Sequence, residues 1–150
     1  MKVETLNNLE YQEIQIMTPS TLSPFLRRAL LADAVVSFAT GLLMFIGAAF
    51  LSNLLMLPEV LLRYAGLVLL PYSLFVAYVA TRPNPARWTV WAVIIINAIW
   101  ALDSIVLLLT GWVAPNALGD AFVIAQALVV AAFAEAQYIG LRQHMTTATS

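Results

Sequence analysis

Four long apolar stretches, separated by short breaks that contain proline, dominate this chain of 150 residues. A helix of about 20 mostly apolar residues crosses the hydrocarbon core of a bilayer, and each stretch reaches that length. Because 62% of the residues are hydrophobic, only 10% are charged and the mean hydropathy is +0.88, one soluble core of this size could not bury them. The sequence therefore predicts an all-α membrane protein folded as an up-down-up-down four-transmembrane-helix bundle.

The breaks divide the chain into an arm, a bundle and a tail. Residues 1–24 are polar and predict a flexible cytoplasmic arm, whose residue order is not that of a cleaved secretory signal. The bundle covers 25–142, and a short cytoplasmic tail covers 143–150. The four predicted spans are 25–55, 60–81, 88–112 and 118–141.

The basic residues predict the orientation of the bundle. Of the seven lysines and arginines, all except Arg63 fall on one side of the four spans: Lys2, Arg27, Arg28, Arg82, Arg87 and Arg142. Basic residues accumulate on the cytoplasmic side of membrane proteins. We therefore expect both termini to be cytoplasmic.

The composition also excludes several kinds of chemistry. The chain has no cysteine and one histidine, His144, so it cannot form thiolate zinc, iron–sulfur or bis-histidine haem sites. A net charge of -1 without any basic run offers no surface for nucleic acid. We expect no metal, no cofactor and no nucleic-acid partner, and no catalytic residue can be assigned.

Asp33 is the first candidate for a functional residue, because an ionisable side chain inside a membrane is costly unless it is paired or hydrated. Ser37 and Thr40 follow it on the same helical face. Gln137 of the fourth span lies at a similar predicted depth, and Gln126 lies deeper. Two interpretations remain open: an interhelical hydrogen-bond seam that fixes the register, or a polar cavity in which Asp33 binds a cation or exchanges a proton.

Arg63 and Asp103 form the second candidate. Their predicted depths match within the reach of an arginine side chain, so we expect a structural ion pair between the second and third spans. The alternative is that Arg63 extends to the lipid headgroups and that Asp103 is neutral.

The third span carries two further candidates. Asn97 lies near the middle of the membrane, and Trp100 stands one helical turn before Asp103. A tryptophan beside an acid can form an aromatic wall for an organic cation, although a lone tryptophan in a bundle also serves simply as core. The candidate ligand- or ion-binding residues are therefore Asp33, Asn97, Trp100, Gln126 and Gln137.

A set of residues spread over about 26–142 carries a resemblance to known proteins: Leu57, Pro58, Leu61, Leu62, Arg63, Gly66, Asn97, Trp100, Ser104, Gly111, Trp112, Gly119, Gln126, Ala127 and Gln137. On these residues the chain resembles a family of small four-span bacterial membrane proteins of uncharacterised function. The resemblance implies a four-helix bundle in the bacterial inner membrane and supplies no activity.

Three functions are compatible with these features. The first is a non-enzymatic membrane protein that acts as an accessory, scaffold or small-ligand-sensing bundle. The second is a proton- or cation-coupled carrier of small molecules that uses Asp33. The third is a membrane enzyme that modifies lipids. The expected partners are membrane lipids and either a second copy of the chain or another membrane protein.

Overall fold

The computed structural model describes residues 22–147, with side chains as far as residue 143. Within them lie five helices: α1 (Pro24–Ile46), α2 (Ala48–Leu55), α3 (Glu59–Thr81), α4 (Arg87–Leu109) and α5 (Ala117–Thr147). Residues 1–21 of the predicted arm and 148–150 of the predicted tail lie outside the described residues.

Four of these helices are long and apolar enough to cross a membrane: α1, α3, α4 and residues 117–143 of α5. A helix of 23 residues, the length of α1, α3 and α4, extends about 34 Å, slightly more than a hydrocarbon core of about 30 Å. Large apolar side chains such as Val35, Ile46 and Leu74 point away from the bundle. The predicted all-α, four-helix membrane bundle is confirmed, and the chain is a multi-pass membrane protein.

The first predicted span, 25–55, is wrong as a single helix because Gly47 interrupts it. Gly47 has φ -86° and ψ 8°, which bends the chain between α1 and α2. The helical hydrogen bonds continue on both sides, from Gly47 N to Leu43 O and from Leu51 N to Gly47 O, each at 2.8 Å. Within this stretch α1 is the helix long enough to cross a membrane by itself, and α2 is a separate short helix after the bend.

The two ends of the bundle have different chemistry. The end at which α1 begins and α3 ends carries Arg27, Arg28, Arg82, Arg87 and Arg142, and is called the basic end. There the Arg27 side chain donates to Ala80 O at 3.1 Å and to Thr81 O at 3.4 Å, which fastens α1 to the end of α3. The opposite end, called the loop end, contains α2 and residues 110–116.

The third and fourth spans also differ from their predicted bounds at their ends. The helix α4 ends at Leu109, before Gly111 with φ +66°, so it is shorter than 88–112. The helix α5 continues to Thr147, so it extends beyond 118–141 into the segment assigned to the tail. Asn116 fixes its start, because Asn116 Oδ1 accepts from Gly119 N at 2.9 Å while its amide donates to Leu54 O.

Glycine lets α1 and α3 pack closely. A Cβ atom at Gly66 would lie 2.6 Å from Phe45 N and 2.7 Å from Gly41 O, so the two backbones nearly touch. Small residues allow such approach in lipid, where no hydrophobic force drives helices together. The pairs α1–α3 and α4–α5 form the extensive helix contacts, whereas α3 and α4 barely touch although they follow one another in the chain.

The buried apolar side chains form two groups, one near each end. The group at the basic end draws on all four spans, with Leu30, Val76, Val93 and Leu141 among its members. The group at the loop end, around Met44, Leu51 and Leu62, contains no buried residue of α4. The buried residues of α4 all lie between 90 and 97, and none of residues 98–109 is buried. The second half of α4 therefore packs against the loop-end group with partly buried side chains, those of Trp100, Leu107 and Leu108.

Candidate functional site

A cluster of five polar side chains, called the polar cluster, lies between the two apolar groups and connects all four spans. It consists of Asp33 and Ser37 on α1, Tyr72 on α3, Asn97 on α4 and Gln137 on α5. Asp33, Tyr72 and Asn97 each lie nine or ten residues from the basic end of their helix, about 14 Å along it. The polar cluster is therefore close to the middle of the membrane.

Asp33 is the centre of the polar cluster, and every partner donates to it. Its Oδ1 accepts from the Ser37 hydroxyl at 2.9 Å. Its Oδ2 accepts from Asn97 Nδ2 and from Gln137 Nε2, each at 2.7 Å, and lies 3.4 Å from the Tyr72 hydroxyl. The Asp33 side chain is fully buried, so all of its solvation comes from these groups.

The remaining hydrogen bonds close the network. Asn97 Nδ2 also donates to Gln137 Oε1 at 3.3 Å, and Asn97 Oδ1 accepts from the Tyr72 hydroxyl at 2.7 Å. In the described part of the chain no buried side-chain nitrogen or oxygen lacks a partner. Satisfied polar networks fix one arrangement of helices, because any slip would leave polar atoms unpaired in an apolar medium.

The sequence-predicted residues divide into two places. Asp33, Asn97 and Gln137 come together in the polar cluster, as the interpretation of a seam expects for Asp33 and Gln137. Trp100 and Gln126 lie nearer the loop end, outside the polar cluster. Tyr72 was missed, since its hydroxyl stands in an apolar span and only its depth, nine residues from the end of α3, could have indicated it.

The predicted ion pair between Arg63 and Asp103 is wrong. Arg63 instead pairs with Glu59, one turn earlier on α3, and both side chains are about half exposed. Glu59 is a nearer acceptor at an (i, i+4) spacing, and such a pair needs no approach of α3 to α4. Among residues 22–143, Asp103 has no salt bridge and no side-chain hydrogen bond.

A cavity of about 220 Å³, called the outer cavity, lies in the loop-end half of the bundle. Its walls come from α1, α3, α4 and α5, and most of its lining is apolar, for example Met44, Leu62 and Val123. Trp100, Asp103 and Gln126 also line it. Three residues singled out from the sequence therefore share one cavity: Trp100 and Gln126 as binding candidates, and Asp103 as the expected partner of Arg63.

A second cavity, of about 280 Å³, lies between α3 and α4 and is called the middle cavity. Trp100 lines both it and the outer cavity, while Tyr72 and Asn97 form its polar side. A groove of about 210 Å³ between α1 and α5 is lined by Thr40, Gln126 and Phe133 among others. The open volume thus begins beside the polar cluster and continues toward the loop end.

Three polar side chains of the outer cavity are free to bind a ligand. The Asp103 carboxyl, the Gln126 amide and the Trp100 indole N–H have no hydrogen-bond partner within the described residues. Ser104, the fourth polar side chain, donates to Trp100 O at 2.8 Å and is already engaged. In residues 22–143 no three acidic, histidine or cysteine side chains lie close enough to hold a metal ion.

No protein-family model, curated protein or solved structure matches this chain.

Proposed function

We propose that this protein is a non-enzymatic, ligand-sensing bundle that takes a small apolar or amphiphilic molecule from the bilayer into the outer and middle cavities. The observation that carries the proposal is that α3 and α4 barely touch and that two cavities beside Trp100 are lined by both helices. Ligand sites are concave, mostly apolar and provided with a few polar groups. The two cavities beside Trp100 have this character.

The polar cluster supports the same function as a fixed frame. Asp33 is enclosed by donors from its own helix and from α4 and α5, with no cationic partner among the described residues. This arrangement favours the seam over a carrier that couples transport to Asp33, because a coupling site must be reached by the ion or proton it exchanges. A ligand in the middle cavity would contact the polar cluster at Tyr72 and Asn97, which would couple occupancy to the contacts among spans.

Binding can be tested by fluorescence of Trp100 alone. The variant carries Trp88→Phe, Trp91→Phe and Trp112→Phe, and 1-bromooctane is added to the protein in lipid nanodiscs as a contact quencher. We expect saturable quenching of Trp100. Ala65→Phe should abolish the saturable part, because Ala65 lines the outer cavity and a phenylalanine there would fill it.

The matched control is Ala98→Phe, which adds the same ring at an exposed position two residues from Trp100. It should leave the saturable quenching intact. Quenching that rises in proportion to bromooctane and is equal in all variants would mean that the quencher is dissolved in lipid, and would overturn the proposal.

We further propose that the chain belongs to the bacterial four-span family it resembles, and lies in the inner membrane with both termini cytoplasmic. The orientation is supported by the concentration of arginines at the basic end. Since the chain lacks cysteine, Asn84→Cys and Ala114→Cys each introduce a single thiol at an exposed position. An impermeant thiol reagent outside the cell should label position 114 and not 84, and the reverse would overturn the orientation.

Lipids are the partners that this location supplies. Association with a second copy of the chain or with another membrane protein stays a prediction from the sequence.

A further inference from the structure

We infer that the ligand of the outer cavity is an organic cation with an apolar body, held by Asp103 and by the ring of Trp100. This inference rests on the proposed function and adds the chemical class of the ligand. It follows from the charge, the aromatic surface and the position of these two side chains.

The charge is the first argument. Asp103 lies six residues before the end of α4, about 9 Å along the helix, where a carboxyl group is costly unless a cation approaches it. Arg63, the basic residue on the neighbouring span, pairs with Glu59 instead. The described residues thus leave the acid in the cavity wall without a counter-ion, and a cationic ligand would supply one.

The aromatic surface is the second argument. Trp100 precedes Asp103 by three residues, so the two side chains are neighbours on α4, and both line the outer cavity. Tryptophan is the best aromatic partner for a cation, and the attraction grows where water is excluded. The amide of Gln126, which also lacks a partner in the described chain, offers an oxygen from the α5 side of the cavity.

Position is the third argument, because it explains how an amphiphile would enter. Asp103 is exposed and near the loop end, whereas the middle cavity extends from Trp100 toward Tyr72 deeper in the bundle. An amphiphilic cation in a bilayer is oriented in the same way, because its charge lies at the headgroups, on the side of Asp103, and its chain lies in the hydrocarbon, on the side of the middle cavity. It could move sideways between α3 and α4 without turning over.

The test uses two probes of equal shape in the variant that retains only Trp100. One is (6-bromohexyl)trimethylammonium, whose charge does not depend on pH. The other is 1-bromo-7,7-dimethyloctane, in which carbon replaces the nitrogen. We expect Asp103→Asn to raise the dissociation constant of the cation about tenfold and to leave that of the neutral probe unchanged. Comparing variants with one probe at a time removes differences in partition into lipid.

Glu135→Gln is the control for charge, because Glu135 is an exposed acid of α5 that lines none of the three cavities. It should alter neither dissociation constant. If Asp103→Asn weakens neither probe or both equally, the cation is not the preferred ligand, while the proposed function stands. If neither probe quenches Trp100 saturably in the protein with Asp103 intact, both the inference and the proposed function are overturned.

Discussion

The basic-end half and the loop-end half of the bundle use the same four spans in opposite ways. In the basic-end half, α4 buries Val90, Val93 and Ile94 against the other helices and contributes Asn97 to the polar cluster. In the loop-end half, the same helix has no buried residue, its side chains Trp100, Leu107 and Leu108 are only partly buried, and two cavities lie beside it. One helix therefore anchors the bundle with its first half and borders two cavities with its second.

This difference assigns separate roles to residues that look equivalent in the sequence. Asp33 and Asp103 are both acids in apolar spans, but Asp33 is enclosed by donors and Asp103 has no partner in the described chain. An enclosed acid specifies the arrangement of helices, whereas a free acid in a cavity wall is available to a ligand.

The largest effect is expected from removing the acceptor in the polar cluster. Asp33→Leu leaves the donors of Ser37, Asn97 and Gln137 without their partner, and each buried unpaired group costs about 1–3 kcal/mol. We expect the free energy of unfolding to fall by about 3 kcal/mol. Denaturation of the purified protein in mixed micelles, followed by circular dichroism, measures it.

Asp33→Asn is the matched variant for the polar cluster. Its remaining oxygen can still accept from Asn97 and Gln137, and its new NH₂ group can donate to the Ser37 hydroxyl, which also accepts. We expect a loss under about 1 kcal/mol. Equal losses in the leucine and asparagine variants would show that the hydrogen bonds of Asp33 do not hold the bundle together.

The next largest effect on stability is expected at Gly66, on the face of α3 that packs against α1, in comparison with its neighbour Ala65, which faces the outer cavity. Gly66→Ala places a Cβ 2.6 Å from Phe45 N, against backbone that cannot move aside, and should destabilise the bundle by about 2 kcal/mol. Ala65→Leu adds more atoms but directs them to the outer cavity, so its effect should stay within about 0.5 kcal/mol. The same micelle denaturation serves for both, and an Ala65→Leu variant as unstable as Gly66→Ala would mean that the cavity is closed.

The sequence predicted the fold and part of the polar cluster, for identifiable reasons. Hydropathy and length located four spans because each property is local, and depth along the helices brought Asp33 to the level of Gln137. The break at Gly47 was missed, because an apolar helix more often continues straight through a glycine than bends there. Depth also placed Arg63 near Asp103, but it does not tell how far apart α3 and α4 stand.

The cavities could not be predicted for a related reason. The cavities exist because α3 and α4 barely touch. The apolar sequence of residues 98–109 does not predict this, because it is equally suited to lipid and to a protein core. Gln126 was expected deeper than Asp33, and it lies in the groove that Thr40 also lines and in the wall of the outer cavity. The pair of Glu59 and Arg63, by contrast, could have been predicted, because the (i, i+4) spacing is present in the sequence. The prediction of an ion pair with Asp103 did not consider it.

The smallest effect concerns that local pair. A double-mutant cycle of Glu59→Ala and Arg63→Ala should give a coupling of about 0.4 kcal/mol, typical of an exposed (i, i+4) pair. The cycle of Arg63→Ala and Asp103→Ala should be additive within about 0.3 kcal/mol. A larger coupling between Arg63 and Asp103 would restore the ion pair and remove the free acid from the cavity.

The division between an enclosed Asp33 and an open cavity beside Trp100 is tested most directly by a crystal structure of the protein grown in a lipid mesophase and pressurised with xenon. Xenon enters apolar cavities and marks them with strong density. We expect xenon between α3 and α4 in contact with Trp100, and none in contact with the Asp33 carboxyl group. Xenon or ordered water in contact with the Asp33 carboxyl group, with side chains filling the space next to Trp100, would show the opposite arrangement, an open Asp33 and no cavity.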